Sequence, residues 1–180
     1  MLFFYPSKNL GAFGDAGAVV VKDEQLANDF KVFRNYGSEK RYHNKVVGAN
    51  SRLDELQAGL LRVRLQHMQE LTEEKVKIAK RYTAEISNDK IRLPELADGA
   101  TGVWHQYVIR CEERDRLIEY LNEKEIGTII HYPIPPHLAE AYQYLGHKPG
   151  FLPITEHLAE TVLSIPMYNG MTEEEQSYVI

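Results

Sequence analysis

The sequence predicts an α/β chain in two parts: a strand-rich piece of about 50 residues, then a small α/β domain entered through a long helix. Three observations predict this. The first 36 residues read as strand, loop, strand, helix; an apolar face at helical spacing runs from about residue 51 to 87; and a β-α-β pattern lies between Trp104 and His131.

Taken in order, Leu2 to Tyr5 is an apolar and aromatic run that reads as a buried strand. It meets Ser7-Lys8-Asn9-Leu10-Gly11, then Gly14-Asp15-Ala16-Gly17, then a strand-like Ala18 to Val21. Asp23 is placed to cap a helix from Glu24 to Tyr36, with Leu26, Phe30 and Phe33 on one face and Gly37 as its stop. Residues 38–50 are polar and without period, and read as a loop. Ser51 and Asp54 form a capping pair for the long helix that should follow, from Leu53 to Ile86, of a length that bridges two domains or two subunits. Trp104 to Arg110 alternates as a strand, Arg114 to Glu125 is amphipathic and stopped by Gly127, and Thr128 to His131 is β-rich. Pro133, Pro135 and Pro136 forbid regular structure; a short helix fits His137 to Leu145, and Thr155 is placed to cap another that ends before Pro166. Thr172 and Glu175 have the spacing of a capping box. An opening strand without a preceding turn and a closing helix of barely two turns lead us to expect a chain cut from something longer. The division is expected at residues 1–50 and 51–180.

Composition narrows the function classes. With 43% apolar and 26% charged residues there is material for a core, and no apolar run is long enough to span a bilayer, so no membrane partner is expected. A formal charge of −5 argues against a nucleic-acid surface, with Lys40 and Arg41 read as a solvated loop. Cys111 is the single cysteine and no secretory signal opens the chain, which suits a reducing cytoplasm.

The residues Phe4-Tyr5-Pro6-Ser7-Lys8-Asn9-Leu10-Gly11, with Gly14-Asp15-Ala16-Gly17-Ala18-Val19-Val20 after them, resemble the cofactor-lysine segment of the DegT/DnrJ/EryC1/StrS aminotransferases. The resemblance continues in family order through Arg34-Asn35-Tyr36-Gly37, Asn50-Ser51-Arg52-Leu53-Asp54-Glu55-Leu56-Gln57-Ala58 and His131-Tyr132-Pro133-Ile134-Pro135. Several blocks in one order are more specific than any one of them. The resemblance implies the C-terminal part of a fold-type I enzyme that depends on pyridoxal 5'-phosphate, working as a homodimer on a nucleotide-linked keto sugar, with glutamate as the usual amino donor. The run from Tyr36 to Gln57 looks closest to enzymes making 3-amino-3,6-dideoxyhexoses on dTDP, for surface polysaccharide or another glycoconjugate.

Within that resemblance Lys8 is the catalytic residue and holds the cofactor. A primary amine condenses with an aldehyde only when neutral, whereas a free lysine has a pKa of about 10.4. Partial burial beside Phe3 to Tyr5 would favour the neutral form. Lysine here also favours transamination over the sugar-nucleotide dehydratases of the family, which carry histidine at this place. The family further implies that Asn50 and Arg52 reach the cofactor phosphate of the neighbouring active site, although Arg52 pairing with Asp54 or Glu55 is an equal alternative. Tyr42 and His43 fall in a loop that closes over the sugar nucleotide, and His131 and Tyr132 in a proline-stiffened turn near the substrate mouth. No metal ligands are expected.

Full-length members carry about as much chain again before this lysine, including the carboxylate for the pyridine nitrogen, and Phe3 stands where many have a phosphate-binding serine. The sequence therefore leads to the expectation that this polypeptide alone has little transaminase activity. Two alternatives stay open: a non-catalytic dimerisation or interaction remnant, and a dehydratase in which Lys8 is incidental.

Overall fold

The computed structural model describes residues 1–180 as two compact units, Met1–Glu70 and Leu71–Ile180. In the first, β1 (Leu2–Phe3) pairs antiparallel with β2 (Gly17–Ala18), Leu2 opposite Ala18 and Phe3 opposite Gly17. The intervening loop folds back on the strand: the Phe4 N–H donates to the Ala16 carbonyl at 2.8 Å and the Ala12 N–H to the Phe4 carbonyl at 2.7 Å. This close return needs a glycine, since a Cβ on Gly11 would lie 2.2 Å from the Pro6 carbonyl oxygen.

The first helix, α1 (Glu24–Phe33), starts as expected at Asp23, whose carboxylate accepts from the Leu26 N–H at 2.6 Å. It ends earlier than expected, because Tyr36 and Gly37 take positive φ of 59° and 70° and turn the chain into β3 (Ser38–Lys40). A hairpin with β4 (His43–Asn44) replaces the plain loop read from the sequence. Its strands are held by the Asn44 side-chain amide, which donates to the Tyr36 carbonyl at 2.7 Å and to Ser38 Oγ at 2.9 Å. Such a short hairpin, built on one side-chain amide, leaves no apolar alternation to read.

The long helix is two helices, α2 (Glu55–Gln66) and α3 (Met68–Glu85). At His67 (φ −101°, ψ 7°) the backbone leaves helical geometry, and the ring Nδ1 meets Glu70 Oε2 at 3.1 Å across the new first turn. One non-helical residue barely alters the phase of the apolar face, so the period crosses the break. Asp54 is the N-cap residue of α2, but its side chain makes no capping hydrogen bond. The compact units divide at Glu70 where the sequence reading put a boundary near residue 50, because α2 side chains bond the Lys8 loop: Gln57 Oε1 accepts from the Phe13 N–H at 3.0 Å and Arg64 Nε donates to the Asn9 carbonyl at 3.3 Å.

In the second unit β5 (Tyr107–Arg110) pairs antiparallel with β6 (Val162–Ile165), and single bridges from Arg92 to Arg110 and from Ile129 to Ser164 widen the sheet on both sides. Alternation sends Tyr107, Ile109, Leu163 and Ile165 to one face, where they pack with Ile78, Ala79 and Tyr82 of α3. The remaining helices are α4 (Arg114–Glu123), α5 (Pro153–Thr161) and α6 (Glu173–Val179); α6 opens on the expected capping box of Thr172 and Glu175. None of the helices is long and apolar enough to cross a membrane.

Several local expectations are corrected here. β5 starts at Tyr107 instead of Trp104, which has φ 45° and stacks its indole on Tyr107 at 5.4 Å. Residues 137–145 form two 3-10 segments, Pro136–Leu138 and Glu140–Leu145, in place of one helix. The helix after Leu152 starts with Pro153 in its first turn and stops at Thr161, where the chain enters β6. The opening strand is not buried: Phe3 is 61% exposed, and Leu26, Phe30 and Phe33 of α1 are exposed too.

Candidate cofactor and substrate site

Lys8 sits in the turn that follows β1, its N–H donating to the Tyr5 carbonyl at 2.8 Å and the residue partly buried. The turn is braced from α2 by Gln57 and Arg64, which lie seven residues apart and so on one helix face. Neither was singled out from the sequence. Their signal was that spacing, two polar residues two turns apart on α2.

Asn50 and Arg52 are brought together on one partner. Asn35 and Asn50 form an antiparallel bridge, and Arg52 Nη1 donates to Asn35 Oδ1 at 3.1 Å while its guanidinium lies 5.3 Å from the centre of the Tyr36 ring. Arg52 is thus engaged by Asn35 and Tyr36 instead of by the helix carboxylates. With Lys31, Arg34 and Asn35 it lines a polar groove of about 610 Å³. Glu39 also lines the groove and is paired with Lys45, so its charge does not cancel those of the groove arginines.

Tyr42 and His43 stand on the exposed hairpin. Tyr42 has φ 67°, the Arg41 guanidinium rests 5.0 Å above its ring, and His43 pairs in register with Lys40. His131 and Tyr132 belong to the second unit and are joined by a cis peptide bond. The His131 ring touches two side chains the sequence reading passed over: its Nε2 lies 3.1 Å from Gln106 Nε2 and its Nδ1 2.9 Å from Ser164 Oγ. Ser164 Oγ in turn donates to Gln106 Oε1 at 3.0 Å. Tyr132 is exposed, edge-on to the His131 ring at 5.5 Å.

Pyridoxal phosphate asks for an amine at one end and anion-binding donors at the other. The amine of Lys8, a partly buried residue, and the guanidinium groove of Arg52 and Arg34 are of those two kinds, so the residues present fit the group. The fold is that of part of a fold-type I, pyridoxal-phosphate-dependent aminotransferase.

The profile of the DegT/DnrJ/EryC1/StrS aminotransferase family matches residues 1–180, and the chain belongs to that family. It is 46% identical over 178 residues to the erythromycin biosynthesis sensory transduction protein EryC1 of Saccharopolyspora erythraea, covering 98% of this chain and 49% of that protein. It is 44% identical over 193 residues to the dTDP-3-amino-3,6-dideoxy-alpha-D-galactopyranose transaminase of Aneurinibacillus thermoaerophilus, covering 98% of this chain and 53% of the relative. Among solved structures it superposes on S. venezuelae DesV with a TM-score of 0.91 at 40% identity, covering 98% of this chain and 48% of that one. A DegT/DnrJ/EryC1/StrS aminotransferase from Brucella abortus gives a TM-score of 0.88 at 36% identity, with the same coverages of 98% and 48%. The chain spans about half the length of the curated relatives it matches.

Proposed function

We propose that this chain is the cofactor-lysine half of a cytoplasmic transaminase that acts on a nucleotide-linked keto sugar, a dTDP-3-keto-6-deoxyhexose, with glutamate as amino donor and a homodimer as the working form. The observation that carries the reading is the Lys8 turn, a partly buried lysine on a loop returned by Gly11 and braced by Gln57 and Arg64. A relative acting on a dTDP-linked amino sugar at 44% identity supports the substrate class.

Bound pyridoxal phosphate would supply an aldehyde to take up an amine and a ring to delocalise charge. Lys8 Nζ is the amine that retains it and, once released, the group that moves a proton between carbons. Arg52, held with Asn50 against Asn35, binds the phosphate of the neighbouring subunit's site. The hairpin that carries Tyr42 and His43 closes over the sugar nucleotide, and the turn that carries His131 and Tyr132 serves the substrate mouth.

One observation favours a second reading. The exposed apolar surface of β1, α1 and α2, with Phe3 61% and Leu56 77% exposed, suits a self-associating or interaction piece without catalysis. Absorbance of the chain mixed with pyridoxal phosphate, before and after borohydride, separates the two. The catalytic reading expects a visible band that borohydride abolishes and a mass increase confined to the Lys8 peptide, both missing in Lys8→Ala. Equal cofactor retention by Lys8→Ala would favour the interaction piece.

A further inference from the structure

We infer that Gln106 and Ser164 are positioning residues that lock the His131 ring in one neutral tautomer, so that Tyr132 and not His131 is the side chain of this turn that meets the sugar nucleotide. The inference rests on the proposed substrate role of the turn and assigns the parts within it.

Ser164 is buried, and its one hydroxyl proton is spent on Gln106 Oε1 at 3.0 Å. Toward His131 Nδ1, 2.9 Å away, Ser164 Oγ is left as an acceptor, so Nδ1 carries the proton and donates it. The Gln106 amide nitrogen has only hydrogens to offer and stands 3.1 Å from Nε2, which must therefore be the bare, accepting nitrogen. The three hydrogen bonds then run head to tail around a closed ring, Gln106 to His131, His131 to Ser164, Ser164 to Gln106.

Two consequences follow. Both nitrogens of His131 are consumed inside the second unit, so the ring has neither donor nor acceptor left for a ligand and does no acid–base work. It can act only as a fixed plate, and the residue it fixes is Tyr132, which stands edge-on to it at 87° and is 69% exposed. The three members arrive from separate places: Gln106 just before β5, Ser164 within β6, and His131 two residues after the Ile129 bridge to Ser164. A ring of bonds between elements that the sheet already aligns holds the turn at small entropic cost.

Long-range proton–nitrogen NMR on the labelled 180-residue chain, followed by titration with dTDP-glucose, tests this. The neutral Nδ1–H pattern is expected for His131 in the free chain; added dTDP-glucose should move the Tyr132 ring resonances and leave the two His131 nitrogens in place. Gln106→Ala and Ser164→Ala should each erase the single-tautomer pattern and weaken dTDP-glucose binding on the order of tenfold. Combining Gln106→Ala with Tyr132→Phe should cost no more than Tyr132→Phe alone, because the clamp acts through the tyrosine. Gln106 is half-exposed, so its variant stays informative if Ser164→Ala folds poorly. A charged or Nε2–H ring, His131 nitrogens that shift with ligand, or additive losses in the double variant would overturn the inference. If Tyr132 does not respond while the tautomer pattern survives, the substrate reading of the turn fails, and Tyr132 loses its assignment with it.

Discussion

Tyr82 and Tyr107 meet edge to face in the core of the second unit, ring centroids 5.2 Å apart and planes at 69°. Both are fully buried and neither hydroxyl is wasted: Tyr82 Oη donates to the Pro166 carbonyl at 2.8 Å, and Tyr107 Oη lies 2.8 Å from Thr83 Oγ1. Burial pushes the Tyr82 hydroxyl far above the ordinary tyrosine range and raises that of Tyr107 as well.

The first prediction concerns alkaline pH. Tyrosine in the unfolded chain ionises near pH 10, whereas folded Tyr82 keeps its proton beyond that, so above pH 10 the unfolded state binds fewer protons than the folded one. Stability is therefore full below about pH 10 and lost as pH rises through the folded values. Tyr82→Phe should flatten that alkaline limb. At neutral pH it should cost about 1 kcal/mol for the lost Pro166 bond, read as a fall in thermal midpoint of roughly 3 °C.

The hairpin unit should be intolerant of a single methyl at Gly37. Its φ is +70°, and a Cβ there would lie 1.8 Å from the Val46 carbonyl oxygen, so Gly37→Ala must move backbone. A loss of about 3 kcal/mol is expected in urea melts. Gly99 is the control: φ is +74° but open space surrounds it, and Gly99→Ala should cost only the left-handed penalty, about 1 kcal/mol.

Glu156 ties a loop to the start of α5. Its carboxylate accepts from the Gly150 N–H at 2.7 Å, from His137 Nε2 at 3.0 Å and from the Leu152 N–H at 3.0 Å, and these bonds, the Gly150 one first, hold it below the usual carboxylate range. A depressed folded value means a contribution present above about pH 4.3, the unfolded value, and lost as pH falls through the folded one. Glu156→Gln should show a shallower loss of stability on acidification. Hydrogen exchange at Gly150 and Leu152 should quicken in the same variant.

Arg52 supplies a paired test of the phosphate role. Its bond to Asn35 and its place over Tyr36 hold the guanidinium at the groove. Arg52→Ala is expected to weaken pyridoxal phosphate retention on the order of tenfold, and Arg52→Lys to recover part of it, because lysine keeps the charge but not the fork. Equilibrium dialysis with pyridoxal phosphate measures both.

Local chemistry was the legible part. The Asp23 cap and the Thr172–Glu175 box were readable because both partners of each bond lie within three residues of one another. The run Val162 to Ile165 was not, since it continues the apolar spacing of α5 and becomes a strand only by pairing with Tyr107 to Arg110. The break at His67 was hidden for a related reason: one residue outside the helix leaves the apolar stripe almost in phase. At the site, Lys8, Asn50 and Arg52 were named from ordered sequence blocks, whereas Gln57, Arg64, Gln106 and Ser164 went unnoticed because each acts on a partner distant in sequence.

By itself the order of residues was enough to place the chain in its family, to single out Lys8 and to mark where α1 and α6 begin, because motif blocks and capping pairs are properties of short stretches. Only the folded chain decided that Phe3 and the α1 face stay exposed, and that the His131 nitrogens are taken by Gln106 and Ser164. The physical reason is that burial and proton placement depend on what is packed within a few ångströms, and pairing between distant segments settles that.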